Sequence, residues 1–231
     1  MFEDKYHLTK EENIFLAKKL LVASIYSGAR IEGVNVTFPE TQAILDGANV
    51  GHLKLDEINV IQNLRDAWKY TLSYADEPFT LDFICKINEN VSRNESLDWG
   101  KLRTGRVGIG GTDYVLPIPE KAVVEKDIDG ILTSDKSTTE KALDYYLYGC
   151  HSQLFWDGNK RTSFIAANKI LIDGGAGLLR IDDSMFAEFN TQLQKYYDTG
   201  DGAEFKKFLY DNCLVGIEWS CASCRKEELE L

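Results

Sequence analysis

Apolar residues recur at three- and four-residue steps along most of this chain, the spacing of helices that bury one face. Thr9-Lys10-Glu11-Glu12 has the form of a capping box, and Ile14, Phe15, Leu16, Leu20, Leu21 and Ile25 follow it, predicting a helix that ends near Gly28. Phe38-Pro39-Glu40-Thr41 opens a short helix that stops at Asp46-Gly47. Ile58, Ile61, Leu64, Trp68 and Leu72 place a longer helix over Asp56 to Tyr74, and Leu81, Ile84, Ile87 and Val91 another over Phe79 to Val91. Further helices are predicted over Glu120 to Leu132, Thr138 to Cys150, Thr162 to Asp173, Asp182 to Tyr197 and Asp201 to Asn212, with Gly174-Gly175 stopping the third of these. One stretch breaks the plan. From Arg103 to Pro119, Val107, Ile109, Tyr114 and Val115 flank Gly110-Gly111, the pattern of a short β-hairpin. No internal repeat or Pro-rich linker divides the chain, and the charged tail from Arg225 to Leu231 is expected to fray. The expected fold class is mainly α with one short hairpin.

Length and charge narrow the classes of function. At 231 residues the chain suits a single domain over 1–231, and 44% hydrophobic residues allow a substantial core. A net charge of −11 disfavours nonspecific binding to nucleic acid or to an anionic membrane. No apolar run reaches the length of a membrane span, and Met1-Phe2-Glu3-Asp4-Lys5 lacks the form of a signal peptide. The five cysteines are odd in number and irregular in spacing, which points to reduced thiols in a cytoplasm. Cys221 and Cys224 have the spacing of half a zinc site or of a redox pair, but no second such pair exists to complete a four-ligand site, so two free thiols are the expectation. The sequence leaves the oligomeric state open, a homodimer included.

The candidate chemistry sits in one polar stretch between two apolar helices: Gln153, Leu154, Phe155, Trp156, Asp157, Gly158, Asn159, Lys160, Arg161 and Thr162. Gly158 permits a tight backbone. The helix that follows begins with unpaired N–H groups and the positive end of its dipole. A phosphate can be held there, with Lys160 and Arg161 adding charge, and Asp157 is placed to hold magnesium together with substrate phosphates. The bland alternative is an Asp-Gly turn ahead of a capped helix. Tyr145, Tyr146, Tyr148, Phe155 and Trp156 can stack a base, although core packing accounts for most of them.

The stretch resembles the signature of the Fic/Doc (Fido) family, His-Pro-Phe-x-Asp/Glu-Gly-Asn-Gly/Lys-Arg-x-x-Arg. Phe155, Asp157, Gly158, Asn159, Lys160 and Arg161 match it in order and spacing. Ile31-Glu32-Gly33 looks like the family's inhibitory-helix motif, and Leu102 to Val107 through Pro117 like its target-positioning flap. The resemblance implies a Fic/Doc-like helical domain. Its parts are an inhibitory-type helix at about 9–33, a flap at about 103–119, the signature loop at 153–162 and C-terminal helices over 182–224. It further implies ATP and Mg2+ bound at Asp157, Gly158, Asn159, Lys160 and Arg161. Val107, Ile109, Gly110 and Gly111 of the flap would capture an extended segment of a target protein by strand addition.

The departures are as informative as the matches. Gln153 stands where the family has its catalytic His, Leu154 where it has Pro, and Phe164 where it has its second Arg. In the family, that His deprotonates a Ser, Thr or Tyr hydroxyl of the target, which attacks the α-phosphate of ATP; AMP is transferred and pyrophosphate leaves. A carboxamide can orient a hydroxyl but cannot accept its proton. His151 is a minor candidate for the base, since two helical residues turn its side chain about 200° away from Gln153. With Phe164 in place of arginine, Glu32 lacks the family's usual partner, and its reading stays divided between regulation and a plain surface residue. Gly-Asn-Lys also occurs in the Doc branch, whose members transfer phosphate. Three readings follow: an adenylyltransferase of reduced or altered activity, a Doc-like phosphotransferase, and an inactive nucleotide-binding or protein-interaction module.

Overall fold

The computed structural model describes residues 2–96, 98–108 and 115–217. Ile109, Gly110 and Gly111 of the expected flap, and Cys221 and Cys224, lie outside the described residues.

The N-terminal apolar stretch folds as two helices, α1 (Lys10–Lys19) and α2 (Leu21–Ile31), rather than one. Thr9 and Glu12 form the expected capping box, and the helical path breaks at Leu20, whose φ is −97° and ψ 13°. Helix α2 also runs past Gly28 to Ile31. A side chain at Gly28 would meet Leu64 at 2.9 Å, so the glycine serves close helix packing there and not termination. Helices α3 (Phe38–Leu45), α4 (Leu55–Ser73) and α5 (Leu81–Val91) follow the predicted order. Strands β1 (Val107–Gly108) and β2 (Val115–Leu116) pair antiparallel, Val107 opposite Leu116, as the hairpin pattern predicts. The C-terminal half holds α6 (Lys121–Leu132), α7 (Thr138–Ser152), α8 (Asn159–Asp173), α9 (Phe186–Thr199) and α10 (Ala203–Asn212). A second antiparallel pair, β3 (Leu178–Leu179) with β4 (Leu214–Val215), was not anticipated. Two-residue strands carry too little periodicity to be read from sequence.

Helix α8 is the axis of the fold. It packs most extensively on α7 and also touches α1, α2, α4 and α5. From Arg161 to Ile172 every residue is buried, so the helix has no solvent face and its polar members, Asn168 among them, find partners inside. The core gathers Ile25, Leu64, Trp68, Ile84, Leu143, Tyr146, Phe164 and Leu171 around it. Lys169 lies wholly inside, its ammonium held by the Ala75 carbonyl at 2.9 Å and by Asp173. Among the described residues no helix is long and apolar enough to cross a membrane.

Candidate nucleotide site

The signature loop is built by side chains that bond its own backbone. Gln153 caps α7 in the left-handed region, with φ 45° and ψ 57°. Its amide donates to the Cys150 carbonyl at 2.6 Å, and its Oε1 accepts from Asn159 Nδ2 at 3.1 Å. Asn159 closes the turn: its Oδ1 accepts from the Phe155 N–H and its Nδ2 donates to the Phe155 carbonyl, both at 2.9 Å. Leu154 and Phe155 anchor the loop in the core. The Asp157 carbonyl is held by Asn88 Nδ2 and Ser92 Oγ, each at 2.9 Å. Gly158 has φ +71°, and a side chain there would run into Ser92 and Val91, so only glycine fits. Helix α8 then starts at Asn159, three residues ahead of the predicted Thr162, because Gly158 serves as its N-cap. The first internal helix bond is Thr162 N–H to the Gly158 carbonyl at 2.8 Å. The N–H groups of Asn159, Lys160 and Arg161 in the turn before it have no acceptor within the helix.

A cavity of about 470 Å³ opens over this helix start, with Glu32, Gly108, Gln153, Trp156, Asp157, Gly158, Asn159 and Lys160 in its walls. The opposite wall is Asn190, Leu193, Gln194 and Tyr197 of α9, none of which was singled out from the sequence. Their i, i+3, i+4, i+7 spacing was visible, but such a face reads as core until a partner helix is seen to be missing. Burial pushes the Tyr197 hydroxyl up, so it stays protonated. The Lys160 ammonium donates to the Ile31 carbonyl at the end of α2, at 3.1 Å. Asp157 borders the cavity with its carboxylate 41% exposed, and one oxygen accepts from the Gly158 N–H at 2.5 Å. No group of three or more metal-ligating side chains gathers among the described residues. A single half-open carboxylate beside a helix start with open N–H groups still fits magnesium, which takes one or two carboxylates plus substrate phosphates.

Arg161 departs from its expected place. Its side chain is 1% exposed, and Nε lies 2.9 Å from Glu32 while Nη2 lies 2.7 Å from Glu95 and 3.4 Å from Asp157. Burial alone would lower the guanidinium; Glu32, Glu95 and Asp157 outweigh it and raise its pKa. The described cavity wall does not include Arg161. Glu32 thus has a cationic partner other than the one the family signature supplies, and Arg161 stands behind that carboxylate, outside the described cavity wall. Phe164 itself is fully buried, edge-on to Trp68 with ring centroids 6.4 Å apart. His151 faces a different cavity, of about 370 Å³, which it shares with Leu116, Pro117, Asp127 and Tyr148. Burial lowers its pKa, and its ring lies 5.4 Å from that of Tyr196. Of the flap, Val107 is half-buried in β1, and among the described residues Gly108 borders the cavity over the start of α8.

The fold and cavity together define a mainly helical domain whose most buried helix opens its N-terminus onto a cavity. Residues 78–171 match the sequence model of the Fic/DOC family, and the resemblance read from the signature is borne out. The fold is that of Fic-domain structures. Fic-1 (aa134 - 508) from C. elegans superposes with a TM-score of 0.70 at 21% identity, over 86% of this chain and 62% of that one. A Fic family protein from Desulfovibrio desulfuricans G20 gives 0.67 at 18% identity, over 87% and 62%. A Fic domain containing signaling protein from Bacteroides thetaiotaomicron VPI-5482 gives 0.69 at 17% identity, over 88% of both chains. At these identities the likeness is one of fold, and this chain spans less than two thirds of the first two. No curated protein matches the chain.

Proposed function

We propose that the cavity over α8 binds ATP with magnesium, and that the chain transfers AMP to a Ser, Thr or Tyr hydroxyl of a target protein at a rate lowered or altered by Gln153. The observation that carries this reading is the gathering of Asp157, Gly158, Asn159, Lys160, Gln153 and Glu32 around one cavity at a helix start. The open N–H groups of that turn and the Lys160 ammonium would hold phosphate oxygens. Asp157 would hold the magnesium, which supplies charge neutralisation at the phosphates. Trp156, 41% exposed, and Tyr197 give the cavity aromatic surface for a base, with Asn190 and Gln194 as hydrogen-bonding edges. In the transfer, the target oxygen bonds to the α-phosphorus, the bond to pyrophosphate breaks, and the hydroxyl proton leaves to solvent. Gln153 can align that hydroxyl but takes no proton, so the roughly 10²–10⁴-fold contribution of a general base is missing. The reading sets the protein in the cytoplasm, supported by Cys85, Cys150 and Cys213, which form no disulfide among the described residues.

A specific observation favours a second reading, a nucleotide-binding or protein-interaction module without transfer: both ends of the Gln153 amide are already engaged, by Cys150 and Asn159. Phosphate transfer of the Doc kind rests on Lys160. Calorimetric titration with Mg-ATP should show binding that Lys160→Ala weakens; equal affinity in the two proteins would overturn the nucleotide site. Intact-mass measurement of candidate targets incubated with Mg-ATP then separates the readings, since a gain of AMP, of phosphate or of nothing supports one each.

A further inference from the structure

Arg103 is 1% exposed, and among the described residues it forms no ion pair. Desolvation alone acts on its guanidinium, lowering its pKa. A buried cation without a carboxylate is expensive and persists only where hydrogen bonds replace its hydration. Among the described residues each of its side-chain bonds goes to a backbone carbonyl. Nε donates to Gln153 at 2.6 Å, Nη1 to Gly105 at 2.5 Å and Nη2 to Pro117 at 2.6 Å. The Arg103 N–H adds a bond to the Leu154 carbonyl at 3.0 Å. Gly105 lies two residues before the first strand of the hairpin, and Pro117 immediately follows the second. Gly105 also lies so close under the Trp156 indole that a side chain there would collide with it.

One planar guanidinium therefore spans both roots of the hairpin and the residue that caps α7 in a left-handed conformation. We infer that Arg103 is a positioning residue: it locks the hairpin roots to the start of the signature loop, so that a segment paired to the hairpin meets the cavity at a set distance and Gln153 keeps its backbone turn. The fork geometry matters, because three carbonyls in three directions match the planar donors of arginine and not the single ammonium of lysine. The delivery part rests on the transfer proposed above; the mechanical joint does not.

The two are tested separately by hydrogen exchange on the full chain, read by mass spectrometry, comparing wild type with Arg103→Lys. Lysine keeps the buried charge and most of the volume, so the chain folds. The expected result is exchange at least about tenfold faster at 105–108, at 115–117 and at 153–155 together, with α4 and α5 unchanged. Mg-ATP affinity should stay within about threefold, and where transfer occurs the KM for the protein hydroxyl should rise while that for ATP does not. Unchanged protection, a change on one side of the joint only, or a loss spread through α4 and α5 would each overturn the inference. Failure of the wild type to bind Mg-ATP would sink the functional reading and leave the exchange result to judge the joint.

Discussion

At the scale of single residues, the ordering of charges around Arg161 decides how the site is expected to behave. Glu32 touches both the guanidinium, at 2.9 Å, and the cavity over the start of α8. A triphosphate entering that cavity meets a carboxylate whose neutralising cation lies behind it. Glu32→Gln keeps the shape, removes the repulsion and loosens one of three claims on Arg161. Mg-ATP affinity by calorimetry is expected to rise about tenfold, about 1.4 kcal/mol. An affinity unchanged or weakened would show that Glu32 does not restrain the site. Gln153 poses a different question, because its φ of 45° limits what can replace it. Histidine is among the residues enriched in the left-handed region, so Gln153→His suits the backbone as well as restoring a base. Transfer to protein, followed by intact mass, is expected to increase by about 10²-fold. A variant that binds Mg-ATP normally and yet transfers nothing would leave the binding-module reading in front.

At the scale of elements, the late prediction of α8 has a clear cause. Asn159, Lys160 and Arg161 read as a polar turn because Asn favours non-helical backbone and the run has no apolar member. The structure starts the helix there because Gly158, at φ +71°, turns the chain directly into it. Asn88 and Ser92 brace that turn from α5 and its end, so the helix start and the loop form one unit. Gly158→Ala would combine a left-handed penalty with collision against Ser92 and Val91. It is expected to destabilise by about 2–4 kcal/mol, lowering Tm by about 4–15 °C. Loss of Mg-ATP binding should accompany it. A Tm within a degree of the wild type would show that the turn relaxes freely, contrary to the packing described.

At the scale of the whole molecule, Phe164 shows the core taking over a place that the family signature gives to charge. It lies on the side of α8 facing Trp68, with no exposure to solvent. Phe164→Arg restores the signature in sequence but would bury an unpaired cation against an indole. The expected outcome is a loss of more than about 4 kcal/mol, read by urea denaturation, with no gain in Mg-ATP affinity. Stability near that of the wild type with tighter nucleotide binding would mean that the helix can turn that position towards the cavity.

The order of helices, the capping box at Thr9, the hairpin after Arg103 and the glycine-bearing turn before α8 were all legible in the sequence, because periodicity, caps and turns act between residues a few positions apart. The tertiary structure alone decided the rest. It broke the first helix at Leu20, carried α2 through Gly28 against Leu64, and made the unoccupied face of α9 a cavity wall. It also turned Arg161 away from the cavity towards Glu32 and Glu95, and gave the Arg103 guanidinium three carbonyls to hold. Such pairings depend on which distant segments meet and how far water is excluded between them. A charge written in the sequence has no fixed partner until packing chooses one, since at close range burial and geometry, not proximity along the chain, set the strength of each contact.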